Sequence, residues 1–188
     1  MTKLILASAS PRRQQLLAQI GVTPDGISPA DIDETPHSGE APRPYVRRMG
    51  LEKARAVHVD GQFTVAGDTV VALGQRILPK AETDDEVAAC LELLSGRAHQ
   101  VMTSVVVCGP DGKVAERLSS TRVQVKRLSQ PEVKAYLQSQ EGIGKAGGYA
   151  IQGRFGAYIK QISGSYTGVM GLPVYETAQL LNGLGYRL

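Results

Sequence analysis

The sequence predicts an α/β protein, on three observations. A short apolar run, Leu4–Ala7, stands directly before a helix start. The strongest strand signal, Phe63–Leu73, lies between two helical patterns. Two further strands, His99–Cys108 and Lys113–Val125, meet at the turn Gly109-Pro110-Asp111-Gly112 and lie between two helix-opening capping boxes.

The first helix follows from Ser10 as N-cap, Pro11 at the first helical position and an apolar stripe of Leu16, Leu17 and Ile20. Arg12 and Arg13 fall in its first turn, where positive charge opposes the helix macrodipole. Two readings stand. The stretch is an ordinary βα unit with solvated arginines, or Ser8, Ser10 and the free N–H groups of the helix face an anion such as a phosphate chain.

Gly21 stops this helix, and a weak extended segment leads to Ser28. Residues 29–41 have no apolar period and read as a loop. Its carboxylates Asp31, Asp33 and Glu34 are either solvated or able to hold a hard cation. A helix then begins near Pro42 or Pro44 with Val46, Met49, Lys53, Ala54 and Val57 on roughly one face. Lys53 either snorkels past that face or points at a cleft.

Within Phe63–Leu73 the sequence Thr64-Val65-Ala66-Gly67-Asp68-Thr69-Val70-Val71 is apolar or β-branched around one carboxylate. Asp is disfavoured in strands, and a buried one needs a partner. A backbone-satisfied Asp68 would account for it, but catalysis is the favoured reading. Gly67 allows a close backbone approach or a bulge, and Lys80 follows in a short loop.

Thr83 to Glu86 forms a capping box for a helix carrying Val87, Cys90, Leu91 and Leu94 and ending at Gly96; Ser129 to Glu132 forms another, opening a helix to about Ser139. Gly142-Ile143-Gly144-Lys145-Ala146-Gly147 matches G-x-G-x-x-G, but it follows a helix and precedes the β-like Tyr149-Ala150-Ile151. That order is the reverse of a dinucleotide site, and no Ser or Thr follows Lys145 as a P-loop needs. The glycines read as a mobile loop. Residues 148–172 stay Gly-rich, and a last helix runs from about Pro173 to Leu184.

The 188 residues suffice for one sizeable core, and the expectation is a single domain over residues 1–188. A net charge of +3 suits a small anionic ligand and is too weak to imply nucleic acid. Seven Tyr, two Phe and no Trp give no platform for stacking single strands. Cys90 and Cys108 lie too far apart for a CxxC site, which argues for buried free thiols in a reducing compartment. His37, His58 and His99 lack metal or triad spacing and read as incidental. No stretch resembles a signal peptide or a membrane span, so a cytoplasmic protein without membrane partners is expected.

Gathered together, the anomalous residues are Ser8, Arg12, Arg13, Glu34, Lys53, Asp68 and Lys80. Two carboxylates can hold Mg²⁺ while cations neutralise phosphate oxygens, the arrangement that metal-assisted phosphoanhydride cleavage requires.

These residues sit in motifs that resemble the Maf family of nucleoside triphosphate pyrophosphatases. The opening Ser8-Ala9-Ser10-Pro11-Arg12-Arg13 is similar to that family's signature. The likeness continues through Asp31-Ile32-Asp33-Glu34, Lys53-Ala54, Asp68-Thr69-Val70-Val71, Lys80, Leu94-Ser95-Gly96 and Gly148-Tyr149-Ala150-Ile151-Gln152-Gly153 to Gly164–Pro173. The resemblance implies a twisted mixed sheet flanked by helices, two lobes around a central cleft, and a homodimer in many members. It implies hydrolysis of a nucleoside triphosphate to monophosphate and pyrophosphate with a divalent cation (Mg, Mn or Co).

By position, the resemblance makes Asp68 the general base and assigns the metal to Glu34 and Asp68. Arg13, Lys53 and Lys80 fall to the triphosphate, and Ser8 to the phosphate-proximal turn. Arg12, Thr69 and Gln152 occupy the base-selecting places and resemble the branch acting on dTTP and UTP. Gln152 can both donate to and accept from a neutral uracil or thymine edge. The chain departs from the family pattern at Met49-Gly50, Ala66-Gly67 and Ala81, keeping each chemical residue and altering its support. An alternative is a nucleotide-binding regulator of cell division with little hydrolysis, although binding alone needs no base.

Overall fold

A computed structural model describes residues 2–188. Strand β1 (Leu4–Leu6) pairs in parallel with β2 (Gly26–Ile27) on one side and β3 (Phe63–Leu73) on the other. Next to β3 lies β6 (Ala98–Cys108), then β7 (Val114–Val125) and β9 (Ile159–Ser163), all antiparallel, while β4 (Arg76–Leu78) folds back on β3. The sheet is therefore mixed, as expected. A second, two-stranded sheet joins β5 (Lys80–Ala81) to β8 (Lys145–Ala146). No helix among the described residues is long and apolar enough to cross a membrane.

The helices are α1 (Pro11–Gln19), α2 (Pro42–Val57), α3 (Asp84–Leu94), α4 (Gln130–Gln138), α5 (Tyr166–Met170) and α6 (Val174–Gly183). They cover the sheet around two main cores. One gathers Leu4, Leu16, Leu17, Val65, Val105 and Leu181; the other gathers Val71, Leu91, Leu94, Val123, Tyr136 and Phe155. Truncating a fully buried leucine such as Leu16 or Leu91 to alanine costs about 2–5 kcal/mol. Strands β3 and β6 contribute to both cores, and Asp68 lies on β3 between Val65 of one and Val71 of the other.

Side chains alternate across a strand, so Asp68 shares with Ala66 the face covered by α2, and Thr69 takes the opposite face. Helix α2 comes unusually near the sheet at Gly50, where a Cβ would lie 2.6 Å from Ser104 Oγ. This close approach brings Lys53, one turn on, within reach of Asp68. Gly67 allows the other close approach, since its Cβ would stand 2.9 Å from the Ser104 carbonyl oxygen. Pairing between β3 and β6 passes through Gly67 in unbroken register, so of the two expected roles the close approach holds and the bulge does not occur.

Several expectations need correction. Lys80 lies in β5 rather than in a loop. The glycine run before Tyr149 is held by the backbone: Gly144 N–H donates to the Ala81 carbonyl (2.7 Å) and Gly147 N–H to that of Pro79 (3.0 Å). Two-residue strands have no period to detect, so neither was legible. Tyr149 and Ala150 are irregular and Ile151 opens a turn, so the three form no strand, and β9 and α5 occupy parts of the Gly-rich stretch. The α4 box is present, Glu132 accepting from the Ser129 backbone N–H at 2.8 Å. The α3 box is half formed: Thr83 Oγ1 accepts from Glu86 N–H, but the Glu86 carboxylate takes the Glu82 N–H instead. His99 is not incidental. It is buried with Nε2 2.7 Å from the Tyr149 hydroxyl, holding the segment after Gly148 onto β6.

Candidate active site

The two cores leave between them a cavity of about 780 Å³, within the usual range for small-molecule sites. Every residue to which the resemblance gives a site role lines it: Ser8, Arg12, Arg13, Glu34, Lys53, Asp68, Thr69, Lys80 and Gln152. Asp31 and Asp33 do not; Asp33 accepts from the Thr35 N–H in a local turn, and of that loop's three carboxylates singled out above Glu34 is the one that lines the cavity, beside Pro29, Ala30 and Pro36.

At its centre the Lys53 ammonium donates to Asp68 Oδ1 at 2.7 Å and lies 2.8 Å from Glu34 Oε1. Lys53 and Asp68 are each 8% exposed, whereas the Glu34 side chain is 55% exposed. Lys53 therefore does not snorkel. Burial pushes the Asp68 carboxyl above its ordinary range, with the charges of Lys53 and Arg13 opposing. The lysine, with three protons, keeps one for another acceptor.

The first-turn arginines of α1 find a different resolution from the one anticipated. Arg13 Nε donates to the Gly171 carbonyl (2.9 Å) and Arg12 Nε to that of Met170 (3.3 Å). The guanidinium groups thus lean on the carbonyl end of α5, where a cation is favourable, rather than resting on the dipole of α1. Burial lowers the pKa of both, and for Arg13 the Asp68 charge offsets part of that. Ser8 Oγ accepts from Arg13 Nη1 (2.9 Å) and from Ser10 N–H (3.2 Å), so its own proton is free to donate. Ser10 stands at the N-cap of α1 without a side-chain cap bond, leaving helix N–H groups open to the cavity.

Across the cavity Lys80 is largely exposed and 3.2 Å from Glu82. Beside it on β8 is Lys145, a cation hidden by reading residues 142–147 as a loop. Its Nζ donates to the Ile143 carbonyl at 3.0 Å, and burial followed by the charges of Arg12 and Lys80 lowers its pKa. Tyr45 was also missed, although it precedes Lys53 by eight residues on the same face of α2; its hydroxyl donates to the Glu34 carbonyl at 2.9 Å. Gln152 stands exposed in the lining. Among the described residues five cations and two carboxylates line the cavity, and a polyanion would relieve the excess.

Residues 3–184 match the family of Maf-like proteins. The chain belongs to the Maf-like family. This Maf-like protein is 58% identical over 186 residues to a dTTP/UTP pyrophosphatase of Caulobacter vibrioides, the match covering 98% of this chain and 96% of that one. It is 55% identical to a dTTP/UTP pyrophosphatase of Hyphomonas neptunium, over 98% of this chain and 96% of the relative. Its fold is similar to that of a HAM1 protein from Coxiella burnetii, with a TM-score of 0.53 and 14% identity over 97% of this chain and 100% of the other. The mixed sheet flanked by helices is the fold class that the resemblance implied.

Proposed function

We propose that this Maf-like protein hydrolyses dTTP and UTP to the monophosphate and pyrophosphate. The observation that carries the reading is a buried lysine bridging two carboxylates inside a cation-lined cavity. It is supported by relatives named dTTP/UTP pyrophosphatase at more than half identity over nearly the whole chain.

In this reading a water loses a proton to Asp68 as its oxygen bonds to the α-phosphorus. The α–β bridging bond breaks, and its electron pair leaves with pyrophosphate. Burial suits Asp68 to this task because it raises the basicity of the carboxylate. Arg13, Lys53 and Lys80 hold the triphosphate and stabilise the charge that develops on the leaving group, and Lys145 adds to the holding alone. Ser8 donates its free proton to a phosphate oxygen. Arg12, Thr69 and Gln152 face the base.

The donor set fits a hard divalent cation only in part: among the described residues no group of three or more His, Cys, Asp or Glu converges. Glu34 and Asp68 would supply oxygens to Mg, Mn or Co, substrate phosphate and water the remainder. When bound, the cation supplies further neutralisation of phosphate charge. The test is product identity. With Mn²⁺ present, UTP is expected to yield UMP and pyrophosphate; UDP and orthophosphate would place the cleavage elsewhere.

A further inference from the structure

Thr69 lies in the cavity lining on the strand face opposite Asp68. Directly across from it in the β3–β6 register is Thr103, fully buried, with the two hydroxyl oxygens 2.9 Å apart. Either could donate if the pair stood alone. It does not, because Thr103 Oγ1 also donates to the Gly168 carbonyl at 2.7 Å. A carbonyl can only accept, and a threonine has one hydroxyl proton. With the Thr103 proton committed to Gly168, the Thr69 proton must go to Thr103. Thr69 is left with lone pairs alone to present to the cavity.

We propose that Thr103 is a positioning residue for base selection, which fixes Thr69 as an acceptor for the imide N3–H of uracil or thymine. The inference rests on the pyrimidine nucleotide reading given above. Uracil and thymine share this N–H, whereas cytosine carries a lone pair at the same ring position. A lone pair of Thr69 facing that of cytosine repels it, so the fixed proton excludes one base as it accepts the other two. Gln152 cannot make this distinction alone. It is exposed, and its amide can turn to offer either oxygen or nitrogen. The selective element is therefore the buried one, Gly168–Thr103–Thr69, whose hydrogen-bond directions the fold dictates.

The test compares kcat/KM for UTP and CTP, by pyrophosphate release, in the wild type, Thr103→Val and Thr103→Ser. Thr103→Val frees the Thr69 proton, and the UTP-to-CTP preference is expected to fall roughly tenfold, mainly through better use of CTP. Thr103→Ser keeps the hydroxyl relay and is expected to keep the preference. An unchanged preference in a folded Thr103→Val, or an equal loss in Thr103→Ser, overturns the proposal. Wild-type protein with 3-methyluridine triphosphate tests it without any substitution. That substrate lacks the N3–H and is expected to be poorly used; turnover equal to that of UTP overturns the role of Thr69 while leaving the pyrophosphatase reading intact. Failure of the wild type to release pyrophosphate from UTP instead overturns the functional reading itself.

Discussion

The two walls of the cavity are built on opposite plans. On the β1–α2 side Lys53 and Asp68 are buried, and the charged groups are tied to fixed partners: Lys53 to Asp68 and Glu34, Arg13 to Ser8 and the Gly171 carbonyl. On the β5–β8 side Lys80 is largely exposed, and Lys145 has a single backbone carbonyl as its hydrogen-bond partner. A buried ion pair is pre-organised and costly to disturb, whereas lysines with so few fixed partners adjust to whatever anion arrives. In the proposed reaction the first wall would place the reacting atom and the second would gather phosphate oxygens.

The largest expected effect falls on the first wall. Asp68→Asn is expected to lower kcat by roughly 10²–10⁴ while the protein stays folded, because the proton acceptor is gone. Normal turnover in that variant would sink the general-base role and with it the contrast between the walls. Lys53→Met strands the Asp68 charge in a buried setting and is expected to cost about 3–5 kcal/mol of stability, read by urea denaturation. A loss no larger than that of an exposed pair would show the bridge to be ornamental.

On the second wall, stability enters through His99, which holds Tyr149 in place. Burial lowers the His99 pKa to about 4 from an ordinary 6.5. The native state therefore resists a proton that the unfolded chain takes up. The contribution is complete above pH 6.5 and is lost as pH falls through 4, amounting to about 3 kcal/mol. His99→Gln is expected to flatten that part of the stability profile relative to the wild type; parallel profiles would disprove the link. The smallest effect is Lys145→Ala, expected to raise KM for UTP roughly fivefold with kcat and Tm little changed. A fall in kcat comparable to that of Asp68→Asn would mean that both walls take part in the chemistry alike.

How much of this was legible in the sequence varies by element. Asp68 announced itself because a carboxylate inside a β-branched run contradicts the local rule and demands a partner. Lys53 did the same on the apolar face of α2. Lys145 and Thr103 gave no such signal. One sits in a two-residue strand defined by its partner, and the other is an ordinary β-branched residue whose hydroxyl matters only through register. Likewise, α3 carried a complete capping-box pattern, yet Glu86 chose the N–H of Glu82, a geometric choice between two nearby donors.

By itself the sequence determined the α/β class, the bounds of β3, those of β6 and β7 to within one residue at their starts, and a family signature running from Ser8 to Pro173. Those follow from local pattern, from caps, and from chemical residue types in fixed order. The tertiary structure decided which groups meet: that Lys53 bridges Glu34 and Asp68, that both arginines rest on the carbonyl end of α5, and that the Thr69 proton points away from the cavity. The physical reason is that hydrogen-bond direction and ion pairing depend on distances between segments far apart in the chain. Only packing α2 onto β6 at Gly50, and pairing β3 with β6, sets those distances.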